Sequence, residues 1–365
     1  MDPLIKWPGG KGREWPLLKL MCPPYQRLVE PFAGGAAAFC AEEPERAFLS
    51  DINPLLTGIY KAVGSADPVF AASARAFART WDAVRSSAIV HASALHCDSA
   101  LMSESVIATI VNTAVAPGEW LEPEALARFV DASLRSKRKR IANWEGAPEL
   151  DQILGMETAV VAGFYTWLRD ALPDWHCGGI SVSALMRFWV LRELAYGSMF
   201  RTNKDGHFNI PYGGASYNSR DLGTKIERML TRGHDLFVRA EIVTADFRDA
   251  WEVAGIGPDD LVFCDPPYDS SFSTYDEATF GRSEHRALAD LVTVTDSQAL
   301  VVVGRTSFTD ALWEEAAKAH PNLRRFLYPV RYTYSVKGRN EQAVEHLVIT
   351  TFDPLAIPTS FQSLQ

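Results

Sequence analysis

Leu261-Val262-Phe263-Cys264-Asp265-Pro266-Pro267-Tyr268 is the stretch whose reading decides the fold. Its four apolar residues read as a buried strand, and the prolines end that strand at once, because neither can donate to a β-ladder and each fixes its own φ. The strand tip becomes a stiff platform carrying an acceptor-only carboxylate, a carbonyl and an aromatic face. Open α/β sheets bind ligands at the carboxyl ends of their strands. A flat ring with an exocyclic amine suits this set: the Asp265 carboxylate and the Pro266 carbonyl can each accept one amine hydrogen while Tyr268 stacks on the ring. Taken alone, Asp-Pro-Pro-Tyr also reads as a rigid turn after a core strand.

Working outward, strands and helices alternate around this stretch. Strand Ile242–Thr244 and a helix from Phe247 to Ala254 precede it, and a helix from Glu284 to Thr295, strand Leu300–Val303 and a helix from Phe308 to Ala319 follow, with late strands near Phe326–Tyr328 and His346–Thr351. Continuous apolar strands in such alternation imply an α/β fold, a mostly parallel sheet with helices on both faces. The sheet begins far upstream. A strand from Arg27 runs into Phe32 and the turn Ala33-Gly34-Gly35-Ala36, then an Ala-rich helix ends near Glu43, the first half of a nucleotide-type βαβ unit. A second strand, Ala47–Ser50, ends in Asp51, an acid spaced to bind ribose hydroxyls, although it also reads as a cap for a helix starting at Pro54. A full Gly-x-Gly-x-x-Gly is missing, which favours a smaller nucleoside cofactor over a dinucleotide. Lys6-Trp7-Pro8-Gly9-Gly10-Lys11-Gly12 offers a Gly-Gly turn, a stacking plane at Trp7 and a cation at Lys11, or simply a flexible entry loop.

Between these halves the pattern is helical. Apolar residues three and four apart, such as Phe70/Ala74/Phe77/Trp81 and Leu126/Phe129/Val130/Leu134, fill the region to about Ser198. The expected organisation is a sheet domain from 1–64 and 240–365, with a helical insertion over 65–239. Within the insertion, Arg135-Ser136-Lys137-Arg138-Lys139-Arg140 reads as a solvated helix face or a phosphate contact. Lys204-Asp205-Gly206 signals a hairpin near 200–212, flanked by aromatic, Arg and Asn side chains of the kinds that read base edges or wedge between bases. Such a loop beside a helical insertion looks like a nucleic-acid surface. Arg331 to Asn340 forms a further basic loop, with Lys337 and Arg339 placed to touch a partner or close over a site.

Bulk properties narrow the classes. At 365 residues, 47% hydrophobic and 22% charged, the chain is an ordinary soluble globular protein with room for two or three domains. Met1 to Pro8 contains no apolar run of signal-peptide length and no later stretch is long enough for a membrane span, so the expectation is a cytoplasmic protein without a membrane partner. Five scattered cysteines with no Cys-x-x-Cys support neither a disulfide scaffold nor a zinc site, and no metal is expected. A net charge of −9 argues against coating nucleic acid with the whole surface, but leaves room for a local basic face.

Four motifs in order, Trp-Pro-Gly-Gly-Lys from Trp7, Glu-Pro-Phe-Ala-Gly-Gly from Glu30, Ser-Asp-Ile-Asn from Ser50 and Cys-Asp-Pro-Pro-Tyr from Cys264, resemble the Dam-type DNA adenine N6-methyltransferases. The resemblance implies a Rossmann-like methyltransferase sheet whose insertion is a target recognition domain, acting on double-stranded DNA. It implies methyl transfer from S-adenosyl-L-methionine to N6 of a flipped-out adenine, with Asp265, Pro266, Pro267 and Tyr268 holding the base. Trp7, Lys11, Phe32, Gly34, Gly35, Asp51 and Asp265 are the implied cofactor contacts; Lys6, Tyr196, Arg201 and Pro211 align with DNA-contacting positions, and Asn203, Lys337 and Arg339 join them as DNA-binding candidates. Ala36 stands where many members carry a further glycine. A cognate restriction endonuclease is the functional partner that DNA methylation of this kind can have. Related chemistry on cytosine N4, an RNA adenine or a glutamine side chain, and a catalytically silent DNA-binding homologue, are the competing expectations.

Overall fold

A computed structural model of the chain describes residues 1–97, 100–115, 122–172, 180–203, 207–268, 280–332 and 342–364. Two compact units emerge, Met1–Gly64 with Asp235–Gln365, and Ser65–His234. The chain opens with helix α1 (Trp15–Leu18), strand β1 (Arg27–Glu30), α2 (Ala37–Glu42), β2 (Ala47–Asp51) and α3 (Pro54–Gly64). The second unit holds α4 (Pro68–Cys97), α5 (Ala100–Val115), α6 (Pro123–Ala142), α7 (Glu149–Asp170), α8 (Val182–Leu194) and α9 (Leu222–Arg228). Helix α10 (His234–Phe237) leads back to β3 (Ala240–Thr244), α11 (Phe247–Val253), β4 (Asp260–Cys264), α12 (Arg282–Val294), β5 (Gln298–Gly304), α13 (Ser307–Ala319), β6 (Arg324–Tyr332), β7 (Gln342–Thr350) and β8 (Gln362–Leu364).

The strands form one eight-stranded sheet in the order β3-β2-β1-β4-β5-β7-β6-β8. From β3 to β5 all neighbours are parallel, whereas β7 runs antiparallel to both β5 and β6, and β8 antiparallel to β6. The sheet is therefore mostly parallel with an antiparallel edge. Only residues 333–341 join consecutive β6 and β7, fewer than the dozen or so that a parallel crossover needs, so neighbouring placement forces opposite directions. Strand order reverses between β1 and β4, and the crevice outside their carboxyl ends is where an open sheet of this type takes its ligand. Every residue of β4 is buried, as are Ala299–Gly304 of β5, because helices cover both faces. The core between sheet and helices gathers Val29, Phe48, Val262, Val301, Trp313 and Ile349.

From Asp235 onward, helix α10 belongs to the sheet unit. Phe237 stacks on Tyr60 at 4.8 Å and meets Phe39 edge-on at 5.0 Å, which moves the return point ahead of the expected 239/240 boundary. In the helical unit, α4 buries Phe70, Ala74, Phe77, Trp81 and Val84 along one stripe, the spacing read from the sequence. Helices α6 and α7 approach closely because residue 163 is glycine; a Cβ there would lie 2.6 Å from the Val130 Cα. In the basic run of α6, Arg135 pairs with Asp131 at 2.6 Å and Arg138 donates to the Leu95 carbonyl at 2.8 Å. Antiparallel bridges Ala195↔Tyr212 and Thr202↔Phe208 draw the following segment into a narrow hairpin. Its expected turn, Lys204-Asp205-Gly206, lies outside the described residues, as do Lys337 and Arg339.

Candidate active site

Lys11, Asp265 and Tyr268 meet at the carboxyl end of β4. The Lys11 ammonium, only 1% exposed, donates to Asp265 Oδ1 at 2.8 Å and to the Gly9 carbonyl at 2.9 Å. The Tyr268 hydroxyl donates to the same Asp265 oxygen at 3.2 Å, and Lys11 Nζ sits 4.9 Å from the Tyr268 ring centroid. Among the described residues no donor reaches Oδ2, so the carboxylate keeps one oxygen for an incoming group. Pro266 is buried, Pro267 exposed and Tyr268 half-buried, the arrangement expected of a rigid corner that shows an aromatic face to the crevice. Burial pushes the Asp265 carboxyl above its ordinary range; the Lys11 charge and hydrogen bond oppose this, and Glu14 adds to it. Neighbouring Cys264 is buried and its thiol is pushed up, first by burial and then by Asp265, so it carries no thiolate for a nucleophilic role.

A second group of residues forms at the tips of β1 and β2. Asp51 Oδ2 accepts the Gly34 amide at 2.8 Å and Oδ1 accepts the Asn53 amide at 2.8 Å, while Asn53 Oδ1 accepts the Leu55 amide at 2.9 Å. Capping of α3 thus falls to Asn53, and Asp51 is released from the capping alternative to brace the glycine turn. The Gly34 carbonyl accepts the Tyr60 hydroxyl at 2.5 Å. Trp7 rests on this turn: a Cβ on Gly34 would come 2.7 Å from Trp7 Cδ1, and one on Gly35 would come 2.9 Å from Trp7 Cβ. Gly34 has φ 48°, and Ala36, next along, has φ 51°, a left-handed conformation that a third glycine would adopt without cost. Burial raises the Asp51 carboxyl, and the two amides oppose that rise.

Two sets of contacts in this region were not legible from the motifs, although Glu30 and Phe32 stand in them. Glu30 is buried at the tip of β1, where Oε1 accepts the Phe39 amide of α2 at 2.6 Å and burial pushes its carboxyl up to about 8. It ties strand to helix across the turn, and its place ahead of Pro31 was the available signal. Phe32 stacks on Phe247 at 5.1 Å and meets Phe280 edge-on at 5.5 Å, making an aromatic wall at the ends of β1 and β3. Phe247 was visible only as the start of a helix.

In the sheet unit Lys6 is half-buried. In the helical unit Tyr196 is half-buried, and its amide donates to the Pro211 carbonyl at 2.9 Å, which pins the exposed Pro211 beside it. Arg201 is exposed and its Nε donates to Asn209 Oδ1 at 3.0 Å, leaving the terminal nitrogens as the edge that can meet a base. Asn203 Oδ1 accepts the His207 amide at 2.9 Å and so closes the hairpin. No group of three or more His, Cys, Asp or Glu among the described residues is arranged to hold a metal, and no described helix is long and apolar enough to cross a membrane.

Comparison with known proteins shows the family. The chain is 24% identical to the type II methyltransferase M.CviBI of Paramecium bursaria Chlorella virus NC1A over 359 residues, covering 96% of this chain and all of that protein. It is 23% identical to the retron Ec67 DNA adenine methylase of Escherichia coli over 312 residues, 86% of this chain and 79% of the other. A shorter match, 28% identity over 109 residues, joins it to a DNA adenine methylase of Haemophilus influenzae, covering 28% and 36% of the two chains. A family model matches residues 7–78 and 169–325, the two stretches that hold the Lys11 turn, Asp51, the hairpin and Asp265, and on that match the chain belongs to the D12 class N6 adenine-specific DNA methyltransferase family.

Proposed function

We propose that the adenine N6 transfer of this family runs here on S-adenosyl-L-methionine, with Asp265 and Pro266 gripping the amine and Tyr268 stacking on the base. The supporting observation is the shared Asp265 oxygen: Lys11 and Tyr268 both occupy Oδ1, which leaves Oδ2 for the substrate amine. An N6 lone pair is delocalised into the purine ring. Acceptors at Asp265 Oδ2 and the Pro266 carbonyl draw its two hydrogens out of the ring plane and so localise the pair on nitrogen. Burial raises the Asp265 carboxyl, and the Lys11 charge and hydrogen bond oppose that rise. An adenine inside a duplex cannot reach such a corner, so the base rotates out of the stack first, and Tyr268 receives its face.

The residues around Asp51 fit the cofactor. Asp51 is fixed by two amides at a strand tip, where a carboxylate can take ribose hydroxyls, and the Phe32–Phe247–Phe280 wall suits an adenine ring. The Gly34 amide already serves Asp51, which supports a nucleoside over a pyrophosphate ligand. Trp7, Gly34 and Gly35 shape the turn beside it. When bound, S-adenosyl-L-methionine supplies an electrophilic methyl group on its sulfonium. Lys6, Tyr196, Arg201, Asn203 and Pro211 are the proposed DNA contacts among the described residues, joined by Lys337 and Arg339. Modification-sensitive sequencing of a methylation-free host expressing the chain would give the recognised site. Transfer of tritiated methyl to a duplex carrying that site then tests the assignment: Asp265→Ala should lose on the order of a hundredfold or more in kcat, and near-normal turnover would defeat it.

A further inference from the structure

Four neighbours fix the Tyr268 ring. Lys11 Nζ lies 4.9 Å from its centroid, Asp265 accepts from its hydroxyl, and Gly304 adjoins its Cβ end, where a Cβ would come 3.2 Å from Cδ2 and 3.3 Å from Cγ. The fourth is His346, which meets the ring edge-on with centroids 5.3 Å apart and planes at 73°. His346 is fully buried on β7, in register with Gly304 on β5 and with Tyr328 on β6. Its Nδ1 lies 3.3 Å from Glu14 Oε2. Glu14 in turn donates its amide to the Lys11 carbonyl at 3.0 Å, so the residue that fixes the Lys11 turn also touches the imidazole. On the far side Tyr328 faces His346 at 6.3 Å and stacks on Phe361 at 4.6 Å.

A buried strand position filled only for packing is served better by leucine, since an imidazole carries two polar nitrogens that cost free energy to bury. Edge-to-face contacts depend on angle, because the positive edge of one ring meets the negative face of the other. Turning the imidazole would therefore re-aim the tyrosine. We propose that His346, packed between Glu14 and Tyr268, is a positioning residue that sets the plane of Tyr268 and so the plane in which the flipped adenine is held. The proposal rests on the reading of Tyr268 as the base platform.

The test uses the full chain and a duplex with 2-aminopurine at the methylated position of its site, alongside tritiated methyl transfer on the normal duplex. His346→Leu should lower kcat on the order of tenfold to a hundredfold, the scale of a misplaced reacting group. It should also cut the 2-aminopurine signal while S-adenosyl-L-methionine affinity stays within about twofold. His346→Gln, which can still meet Glu14, should recover part of both. Glu14→Gln removes the charge 3.3 Å from Nδ1 at a position still 13% exposed and should act in the same direction more weakly; it decides the matter if His346→Leu fails to fold. Wild-type kcat and 2-aminopurine signal in Glu14→Gln and in folded His346→Leu would overturn the proposal. Retained turnover in Asp265→Ala would instead overturn the base-holding corner itself, so the two failures are distinct.

Discussion

Replacing Lys11 by methionine removes the cation that offsets the Asp265 charge while roughly keeping side-chain volume. The ammonium is 1% exposed and the carboxylate 17% exposed. Breaking a buried pair by deleting one partner costs about 3–5 kcal/mol, and the residual exposure of Asp265 places this case near the lower end, about 3 kcal/mol. The loss should depend on pH. Asp265 already has its carboxyl raised by burial, with Lys11 the first opposing influence, so Lys11→Met raises it further. A carboxyl raised in the folded state binds more protons folded than unfolded; its penalty is full at high pH and fades as pH falls through the folded value. Urea unfolding between about pH 5 and about pH 8 should therefore show a deficit that shrinks on acidification. Adding Asp265→Asn removes the stranded charge and should recover most of the loss, to within about 1 kcal/mol of wild type. A deficit that stays constant with pH, or a double variant as unstable as Lys11→Met, would refute the reasoning and assign the cost to the lost Gly9 contact or to packing against Tyr268.

Asp51→Asn keeps an acceptor for the Gly34 or Asn53 amide but not both charge-assisted contacts, so titration calorimetry should show S-adenosyl-L-methionine affinity weakened by about 1.5–3 kcal/mol; unchanged affinity would return Asp51 to a purely structural role. Arg201→Ala should relax preference at one base pair of the site by about 1–3 kcal/mol, read by competition among duplexes. A uniform loss across sequences would make it a phosphate contact. Ala36→Gly relieves a left-handed alanine at φ 51°, and thermal unfolding should show a gain of up to about 1 kcal/mol after the flexibility glycine adds to the unfolded chain; a clear loss of stability would contradict the backbone assignment at that turn.

The parts of the fold legible in sequence are those written in local chemistry. Pro266 and Pro267 must stop β4, so the position of Asp265 at a strand tip followed from covalent structure alone. Unbroken apolar runs at Val262–Cys264 and Leu300–Val303 required cover on both faces, and that cover is present. The antiparallel edge was not legible, because the strands were expected only near Phe326–Tyr328 and His346–Thr351, a gap long enough for a crossover, whereas β6 and β7 extend to Tyr332 and from Gln342. Nor was the assignment of α10, since a four-residue helix declares its unit only through the rings that Phe237 meets.

At the site, residue types were legible and pairings were not. Lys11 and Asp265 are 254 positions apart, and no periodicity relates them; their contact exists because β1 and β4 are neighbours at the point where strand order reverses. The same geometry explains why Asp51 admitted two readings. A carboxylate two residues before a backbone amide is a local cap by spacing, and only the presence of Asn53 as a competing acceptor for the α3 amides frees Asp51 to reach back to Gly34. The Gly34–Gly35 pair, implied by the resemblance as a cofactor contact, makes room for Trp7 as well. Glycine at such a turn satisfies two demands at once, a positive φ and a close aromatic neighbour, and a substitution at Gly34 would break both before any ligand arrived.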